Sequence, residues 1–282
     1  AYFYGLTRTS ETACIGVCKV NDTSSIAAEA DLTSMNSDGF TVKWTTVDST
    51  ARVVNYLALG GSDITNVLVG KKAASPSTGK QTTSGVGFKP SAIIFLEPKS
   101  SAPPSLSKVA HLSVGFGDAS LNVGTSVNFI GWSSGNGNVG RYQRTDKCSA
   151  ILTWPYVGTP LVDGEASLAS LDSDGWVRYW NNPTLSDWYG FWIAIAGPRF
   201  KVGSFSQRTS TGTQATTGIG FQPSALILSS VAAVASTDTS GGNATLCFGV
   251  ATGATSRGSM SSSLTSAQST NASASQVLDR TK

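Results

Sequence analysis

Charged side chains and histidine are scarce in this chain. Charged residues make up 13% of the 282 residues, whereas an average soluble domain has about 25%. A single histidine, His111, and 17 acidic residues leave few side chains for general acid–base or nucleophilic catalysis. We therefore expect a protein that is not an enzyme and that holds no cofactor.

Long apolar runs and basic clusters are also missing, which excludes two kinds of partner. No run approaches the ~18 consecutive apolar residues of a membrane-spanning helix. The net charge is only +3, and lysine and arginine are scattered rather than grouped with aromatic residues. That distribution disfavours nucleic-acid binding. We expect neither a membrane nor a nucleic acid among the partners.

Cysteine is rare, and its spacing does not indicate a metal site. The only close pair is Cys14 and Cys18, and no histidine or second close pair accompanies it. The other two cysteines are Cys148 and Cys247. The pattern favours buried, reduced thiols on strands, and a disulfide remains the alternative.

Serine and threonine take the place of the missing charges. The chain has 42 serines, 31 threonines and 30 glycines. Apolar residues still make up 40%, and aromatic residues 9%, which is enough to bury a core. Disordered chains combine low hydrophobicity with high net charge, and this chain has neither. The composition indicates a globular protein with an uncharged, hydroxyl-rich surface.

Two parts of the chain repeat each other. Residues 69–96 align without a gap with residues 202–229, at an offset of 133, and 14 of the 28 positions are identical. A second block, EADLTSMNSDGF at 29–40, matches EASLASLDSDGW at 165–176 at an offset of 136. Self-similarity over such distances indicates a duplicated structural unit.

The order of these blocks predicts the domain organisation. Residues 67–199 contain both blocks and form a complete, continuous unit, whereas 1–66 hold only the second block and 200–282 only the first. We predict a discontinuous unit assembled from 1–66 plus 200–282, here called the N-terminal and C-terminal pieces. Half a unit cannot bury its own apolar face. The complement comes either from the same chain or from a neighbouring subunit by swapping.

The local patterns are those of short strands. Aromatic and β-branched runs are separated by glycine and proline, and no sustained helical stripe occurs. We predict an all-β fold with two related jelly-roll or lectin-like β-sandwich units. Asp-Gly pairs and the Gly-x-Gly-Phe-x-Pro motif indicate turns or bulges. The predicted turn residues are Asp38, Gly39, Gly85, Gly87, Pro90, Asp174, Gly175, Gly218, Gly220 and Pro223.

Two motifs that suggest catalysis have structural explanations. His111 lies opposite Thr245 in the repeat, and a residue that is replaced within the same chain is better explained by a structural role. The stretch GWSSG at 131–135 matches the nucleophile-elbow pattern. That motif requires a following helix and a later histidine, but no helical pattern follows and His111 comes earlier.

The acidic residues suggest two further sites. Asp172, Asp174 and the following glycine resemble the start of a calcium loop, but the later ligands of such a loop are missing. A hairpin turn is favoured, with partial calcium coordination as the alternative. Glu29, Glu97 and Glu165 are candidates for a glycosidase pair by residue type alone. Glu29 and Glu165 are matched positions of the repeat, so a shared structural role is favoured.

Aromatic residues provide the candidate contact surface. Trp132, Trp188 and Tyr189 are candidates for stacking on a sugar ring or for contact with a protein partner. The alternative is that these rings fill a core or a subunit interface.

The repeated motifs support a resemblance to a known family. The pattern V-G, T-G-x-Q, G-[VI]-G-F-x-P-S-A, followed by S-D-G-[FW] and an aromatic-apolar strand, resembles a repeat of structural proteins in tailed bacteriophages. Its residues are Gly85, Gly87, Phe88 and Pro90 in the continuous unit and Gly218, Gly220, Phe221 and Pro223 in the C-terminal piece. The resemblance covers most of the chain and implies lectin-like jelly-roll sandwiches.

The resemblance also implies a function. We expect a non-enzymatic virion component, either a capsid decoration or cement protein or a head or tail fibre. Its partners would be major capsid or tail proteins and further copies of itself. The alternative is a carbohydrate-binding, lectin-like module that recognises a host glycan.

Overall fold

In the described part of the chain, all regular secondary structure is β-strand. The computed structural model describes residues 7–9, 13–18, 26–49, 62–98, 105–107, 109–120, 122–130, 138–153, 161–184, 189–197, 199–231, 237–241, 243–254 and 256–265. Every regular element in these ranges is a β-strand, which confirms the predicted all-β class. The described residues accordingly include no helix able to span a bilayer.

Nineteen strands are described. In chain order they are β1 (Thr7–Thr9), β2 (Ala13–Cys18), β3 (Ile26–Asn36), β4 (Gly39–Thr46), β5 (Asn66–Ala73), β6 (Gly79–Thr83), β7 (Ala92–Pro98), β8 (Ser105–Ser107), β9 (Val109–Asp118), β10 (Asn122–Ile130), β11 (Asn138–Arg144), β12 (Ser149–Thr153), β13 (Leu161–Asp172), β14 (Gly175–Asn182), β15 (Tyr189–Ala196), β16 (Leu226–Ser230), β17 (Thr237–Gly241), β18 (Asn243–Ala251) and β19 (Arg257–Thr265).

The middle of the chain forms a two-layer sandwich. One layer is a seven-stranded antiparallel sheet in the order β17-β11-β10-β9-β7-β15-β5, and the other is a four-stranded sheet in the order β12-β13-β14-β6. All these strands except β17 come from residues 66–196. The β-sandwich predicted for the continuous unit is therefore present, and its jelly-roll character remains a prediction.

The core lies between these two layers. Trp176 of the small sheet packs edge-on against Trp192 of the large sheet, with ring centroids 4.7 Å apart, and against Phe95 at 6.1 Å. Trp176 is 1% exposed. Edge-to-face pairs of this kind contribute about 0.5–1.5 kcal/mol beyond the burial of their area. A second buried cluster surrounds Trp180, four residues further along β14.

The N-terminal and C-terminal pieces form two smaller sheets. The order is β2-β3-β4 in the first and β16-β18-β19 in the second. Strands β2, β3 and β4 correspond to β12, β13 and β14 in the repeat, and β16, β18 and β19 correspond to β7, β9 and β10. Even the register shifts match: the pairing of β13 with β14 shifts after Glu165 and Leu168, and that of β3 with β4 shifts after Glu29 and Leu32.

Each piece is also joined to the continuous unit. Strand β1 pairs with β8, and β17 extends the large sheet by pairing with β11. Among the described residues, no strand of the N-terminal piece pairs with a strand of the C-terminal piece. The prediction that the two pieces complete one discontinuous unit therefore remains a prediction.

Candidate functional site

The turn at Asp174 locks the two layers of the continuous unit together. Asp174 lies in the two-residue turn between β13 and β14. Its carboxylate accepts the backbone N–H of Gly85 at 2.9 Å and that of Gly87 at 2.6 Å. The N–H of Val86 donates to the Asp174 carbonyl at 3.4 Å. We call this arrangement the latch: a carboxylate seated in a nest of backbone N–H groups.

The sequence explains why the nest forms. Gly85 and Gly87 both have φ of +80°, a left-handed conformation that side chains with a Cβ rarely adopt. Two such residues around Val86 turn successive N–H groups toward one point, which is an anion-binding geometry. The hydrogen bonds from Gly87 and then Gly85 hold the pKa of Asp174 below its ordinary value. The carboxylate therefore stays ionised in the latch.

The N-terminal and C-terminal pieces contain the residues that match both parts of the latch. Gly218 and Gly220 have φ of +82° and +84°, so the nest is already formed. Asp38 lies in the turn before Gly39, as Asp174 does before Gly175, and both of these glycines have positive φ. Within the described part of the chain, however, Asp38 accepts no hydrogen bond from the second nest. The carboxylate and its nest are both exposed.

Apolar residues that are buried in the continuous unit are exposed at the matched positions. Trp180 is 0% exposed, whereas its counterpart Trp44 is 44% exposed. Phe95 is 2% exposed, whereas Leu228 is 41% exposed. The same contrast holds for Trp176 and Phe40 and for Ile93 and Leu226. The sheet β2-β3-β4 therefore exposes apolar side chains on β4, and the sheet β16-β18-β19 exposes them on β16. We call these two surfaces the open faces.

A strand edge is open as well. In the continuous unit β14 pairs with β6, so that Trp180 lies opposite Gly79. Among the described strands, the matched strand β4 pairs with β3 alone. Residues 212–216, the counterpart of β6, are described but belong to no strand. An unpaired edge next to an exposed apolar face is a template for adding another strand.

Residues 202–225 nevertheless keep the local conformation of their counterpart. The side-chain amide of Gln214 donates to the Ser206 carbonyl at 2.8 Å, and that of Gln81 donates to the Ala73 carbonyl at 2.9 Å. Gly212, like Gly79, has a positive φ. The segment therefore shares this side-chain contact and the glycine conformation with its counterpart, although it forms no strand.

Two oppositely charged side chains of the continuous unit are paired in its core. Glu97 and Arg178 form an ion pair across the two layers, with Oε1 and Nη1 2.6 Å apart and side chains only 1% and 3% exposed. Arg178 also donates to Ser149 and Gln81. Its guanidinium lies 4.9 Å from the ring centroids of Phe95 and Trp180. Sequence reasoning missed this pair.

The repeat itself contained the signal for that pair. Glu97 matches Ser230, and Arg178 matches Val42. Both charges disappear together in the second copy of the repeat. Because a buried charge without its partner is costly, such a joint replacement indicates two positions that face each other.

A second charged cluster lies at the side of the sandwich. The Tyr142 hydroxyl donates to Glu165, and Arg144 Nη1 lies 2.6 Å from the same carboxylate. Arg144 also binds Asp146 through both Nε and Nη2, at 2.7 and 2.6 Å. Burial first, and then the bond to Glu165, raise the pKa of Tyr142, while Arg144 lowers that of Asp146. These shifts keep Tyr142 protonated and Asp146 ionised.

Several candidate residues lie outside the described part of the chain. Trp132, the GWSSG stretch and Trp188 fall in undescribed ranges, and of His111 only the backbone is described, in β9 opposite Asn128. Tyr189 is half-buried, with Lys71 Nζ 6.0 Å from its ring centroid and Phe191 beside it. Of the three aromatic candidates only Tyr189 is described, so their role as a shared contact surface remains a prediction.

The remaining candidates have defined places. Asp172 is the last residue of β13, and Asp174 lies in the hairpin turn that follows. No cluster of metal-binding side chains occurs among the described residues. Pro90 is buried behind the first nest, whereas Pro223 behind the second is exposed. Of the cysteines, Cys148 is buried, which raises the pKa of its thiol to about 12. Cys14 is exposed on β2, so the expectation of a buried thiol is wrong there.

No family model, curated protein or solved structure matches this chain. The resemblance to phage repeats, read from the Gly-x-Gly-Phe-x-Pro and Ser-Asp-Gly motifs, therefore remains a prediction.

Proposed function

We propose that the chain is a non-enzymatic structural component of a bacteriophage particle, either a capsid decoration or cement protein or a head or tail fibre. It works in the virion through contacts with capsid or tail proteins and with further copies of itself. The observation that carries the proposal is the contrast between the two copies of the repeat. The faces that fill the core of the continuous unit are turned to solvent in the discontinuous one.

The exposed apolar surface and the low net charge of the chain both favour assembly. An exposed apolar face that continues into an unpaired strand edge favours association with another protein. The small net charge of +3 adds little repulsion between neighbouring copies. The uncharged, hydroxyl-rich surface fits many close contacts without requiring matched charges. A particle component repeated many times over a lattice needs these properties.

The test is mass in solution with and without the particle. Purified protein is run on gel filtration coupled to light scattering, alone and after incubation with heads purified from the phage that encodes it. The proposal expects elution together with the heads or, in the same experiment, with purified tails; oligomers that elute apart from both would reject the phage role. A Phe40→Ser, Trp44→Ser variant serves as the control with reduced apolar surface. A lone monomer that ignores heads and tails would contradict the proposal.

Carbohydrate binding is the second candidate function. One observation favours it. The rings of Phe40 and Trp44 lie four residues apart on the same face of β4, and both are more than a third exposed. Exposed rings in a row can stack on the apolar faces of sugars. A glycan array with the wild-type chain and the Trp44→Ser variant tests this role. Binding that is absent, or that survives the substitution, rules out this platform.

A further inference from the structure

We propose that the two open faces complete each other between copies of this chain. In this arrangement the sheet β2-β3-β4 of one copy receives residues 202–230 of a second copy, and together they build a sandwich like that of the continuous unit. The inference rests on the proposed assembly function and names its interface. The occupant of the open face is thus a second copy of the same chain.

The first argument is the missing strand. The continuous unit has four strands in its small sheet, and the N-terminal piece has the first three of them. The fourth, β6, has its counterpart at residues 212–216, which belong to no strand of their own. If that segment joined the free edge of β4, Gly212 would lie opposite Trp44, as Gly79 lies opposite Trp180.

The second argument is the latch. In the continuous unit the carboxylate of Asp174 closes on the Gly85–Gly87 nest, and this contact ties the small sheet to the segment that leads into β7. The second nest at Gly218 and Gly220 has the same backbone conformation without its carboxylate. Asp38 is the matched carboxylate, held in a matched turn. Adding the missing strand brings these two groups together.

The third argument is the paired loss of charge. Glu97 and Arg178 face each other across the layers of the continuous unit. Their counterparts are Ser230 on β16 and Val42 on β4. Replacing only one partner would have left a buried charge unpaired, which is strongly destabilising. Replacing both leaves a neutral pair that suits the facing positions of a closed sandwich.

The tethers favour closure between copies. The N-terminal piece contacts the continuous unit where β1 pairs with β8. The C-terminal piece contacts it at a different strand, where β17 pairs with β11. Within the described residues of one chain, the two small sheets neither pair nor stack. Two copies can satisfy both open faces at once. A reciprocal exchange gives a closed dimer, and a one-way exchange gives a filament.

Cross-linking tests the arrangement directly. Lys43 and Thr213 are exposed and would lie opposite each other, because their counterparts Tyr179 and Lys80 are paired in the continuous unit. Two chains carrying tags of different size, one with Lys43→Cys and one with Thr213→Cys, are co-expressed and treated with a short bismaleimide. Both carry Cys14→Ser to remove the exposed native thiol. The Tyr179→Cys, Lys80→Cys double variant is the matched control and should cross-link within one chain.

The outcomes are distinct. The proposal expects a heterodimer band, holding up to about half of the chains for random pairing into reciprocal dimers, that is absent when either substituted chain is expressed with an unsubstituted one. A Lys43→Cys, Thr213→Cys double variant that cross-links only within one chain would overturn exchange between copies, and so would the absence of any cross-link. Failure of the particle-binding test with a positive heterodimer would reject the phage role alone.

Discussion

Single residues decide whether the two layers of a unit are joined. Asp174 accepts two backbone N–H groups from the loop between β6 and β7, and those bonds keep its carboxylate ionised. Asp38 has the same neighbours in sequence but not in space. The same residue type in the same kind of turn therefore accepts hydrogen bonds from a nest in one copy of the repeat and is exposed in the other. The difference can be measured.

We expect Asp174→Asn to weaken the fold in a pH-dependent way. Because the pKa of Asp174 is lower in the folded chain than the ordinary ~3.9, its contribution is fully present above about pH 4 and is lost as the pH falls further. The amide cannot accept both N–H bonds, so the melting temperature should drop by a few degrees at pH 7. The difference from wild type should shrink toward pH 2.

The measurement is differential scanning calorimetry across that pH range. Asp38→Asn at low protein concentration is the matched control and should leave the melting temperature unchanged. A constant difference between Asp174→Asn and wild type at every pH would show that the carboxylate charge is not involved.

The buried ion pair gives a second prediction at the residue scale. Because Glu97 and Arg178 are almost fully buried together, Glu97→Ser or Arg178→Val alone should cost about 3–5 kcal/mol, since either leaves an uncompensated charge. The double variant copies Ser230 and Val42 from the other repeat. It should lose well under the sum of the two single variants.

Denaturant unfolding of the four proteins, followed by tryptophan fluorescence, measures the coupling. Strict additivity would mean that the two side chains do not depend on each other. A double variant as stable as wild type would fit the observation that buried pairs can be replaced by neutral residues without loss.

At the scale of the strand, close approach between layers determines where glycine is required. Gly115 on β9 lies against the backbone carbonyl of Cys148, and a Cβ at this position would overlap that oxygen. Its counterpart Gly249 on β18 has no neighbour closer than 3.7 Å to such a Cβ. A Cβ therefore has no room at Gly115 in the continuous unit but fits at the matched Gly249 on β18.

We therefore expect Gly115→Ala and Gly249→Ala to differ. Gly115→Ala forces backbone to move and should destabilise the continuous unit by roughly 1–3 kcal/mol, the usual cost of overpacking. Gly249 is also buried, but a Cβ there meets its neighbours only at ordinary contact distance, so Gly249→Ala should cost clearly less than Gly115→Ala. Thermal melts at low concentration check both. Equal losses of stability at the two sites would show that a second layer covers the sheet β16-β18-β19 in solution.

At the scale of the whole molecule, the exposed apolar surface governs behaviour in solution. Phe40 and Trp44 are 41% and 44% exposed on the free-edge strand β4. Their counterparts Trp176 and Trp180 form the core of the continuous unit. Removing the first pair should change association, whereas removing the second should unfold the chain.

We expect Phe40→Ser, Trp44→Ser to lower the weight-average mass at high protein concentration while keeping the melting temperature of the continuous unit. Sedimentation velocity over a range of concentrations measures the first effect, and circular dichroism the second. Trp180→Ser is the control for loss of folding. Concentration-independent mass in the wild-type chain would contradict the expected association.

Much of the architecture was readable from the sequence because a repeat is a strong local signal. The Asp-Gly pairs occur at the turns between β3 and β4 and between β13 and β14, since tight turns require positive φ wherever they occur. The all-β class follows from the same short, glycine-punctuated runs. The Glu97–Arg178 pair was missed because its partners are 81 residues apart, and no local pattern joins them.

The sequence by itself determined the all-β class, the positions of the Asp-Gly turns and which segments of the chain are copies of each other. These properties depend on backbone preference and on neighbours a few residues away. Only the tertiary structure decided which copies are closed. Trp180 and Trp44 have the same local sequence context, yet one is buried and the other is exposed, because burial depends on whether a second layer is present to cover the strand.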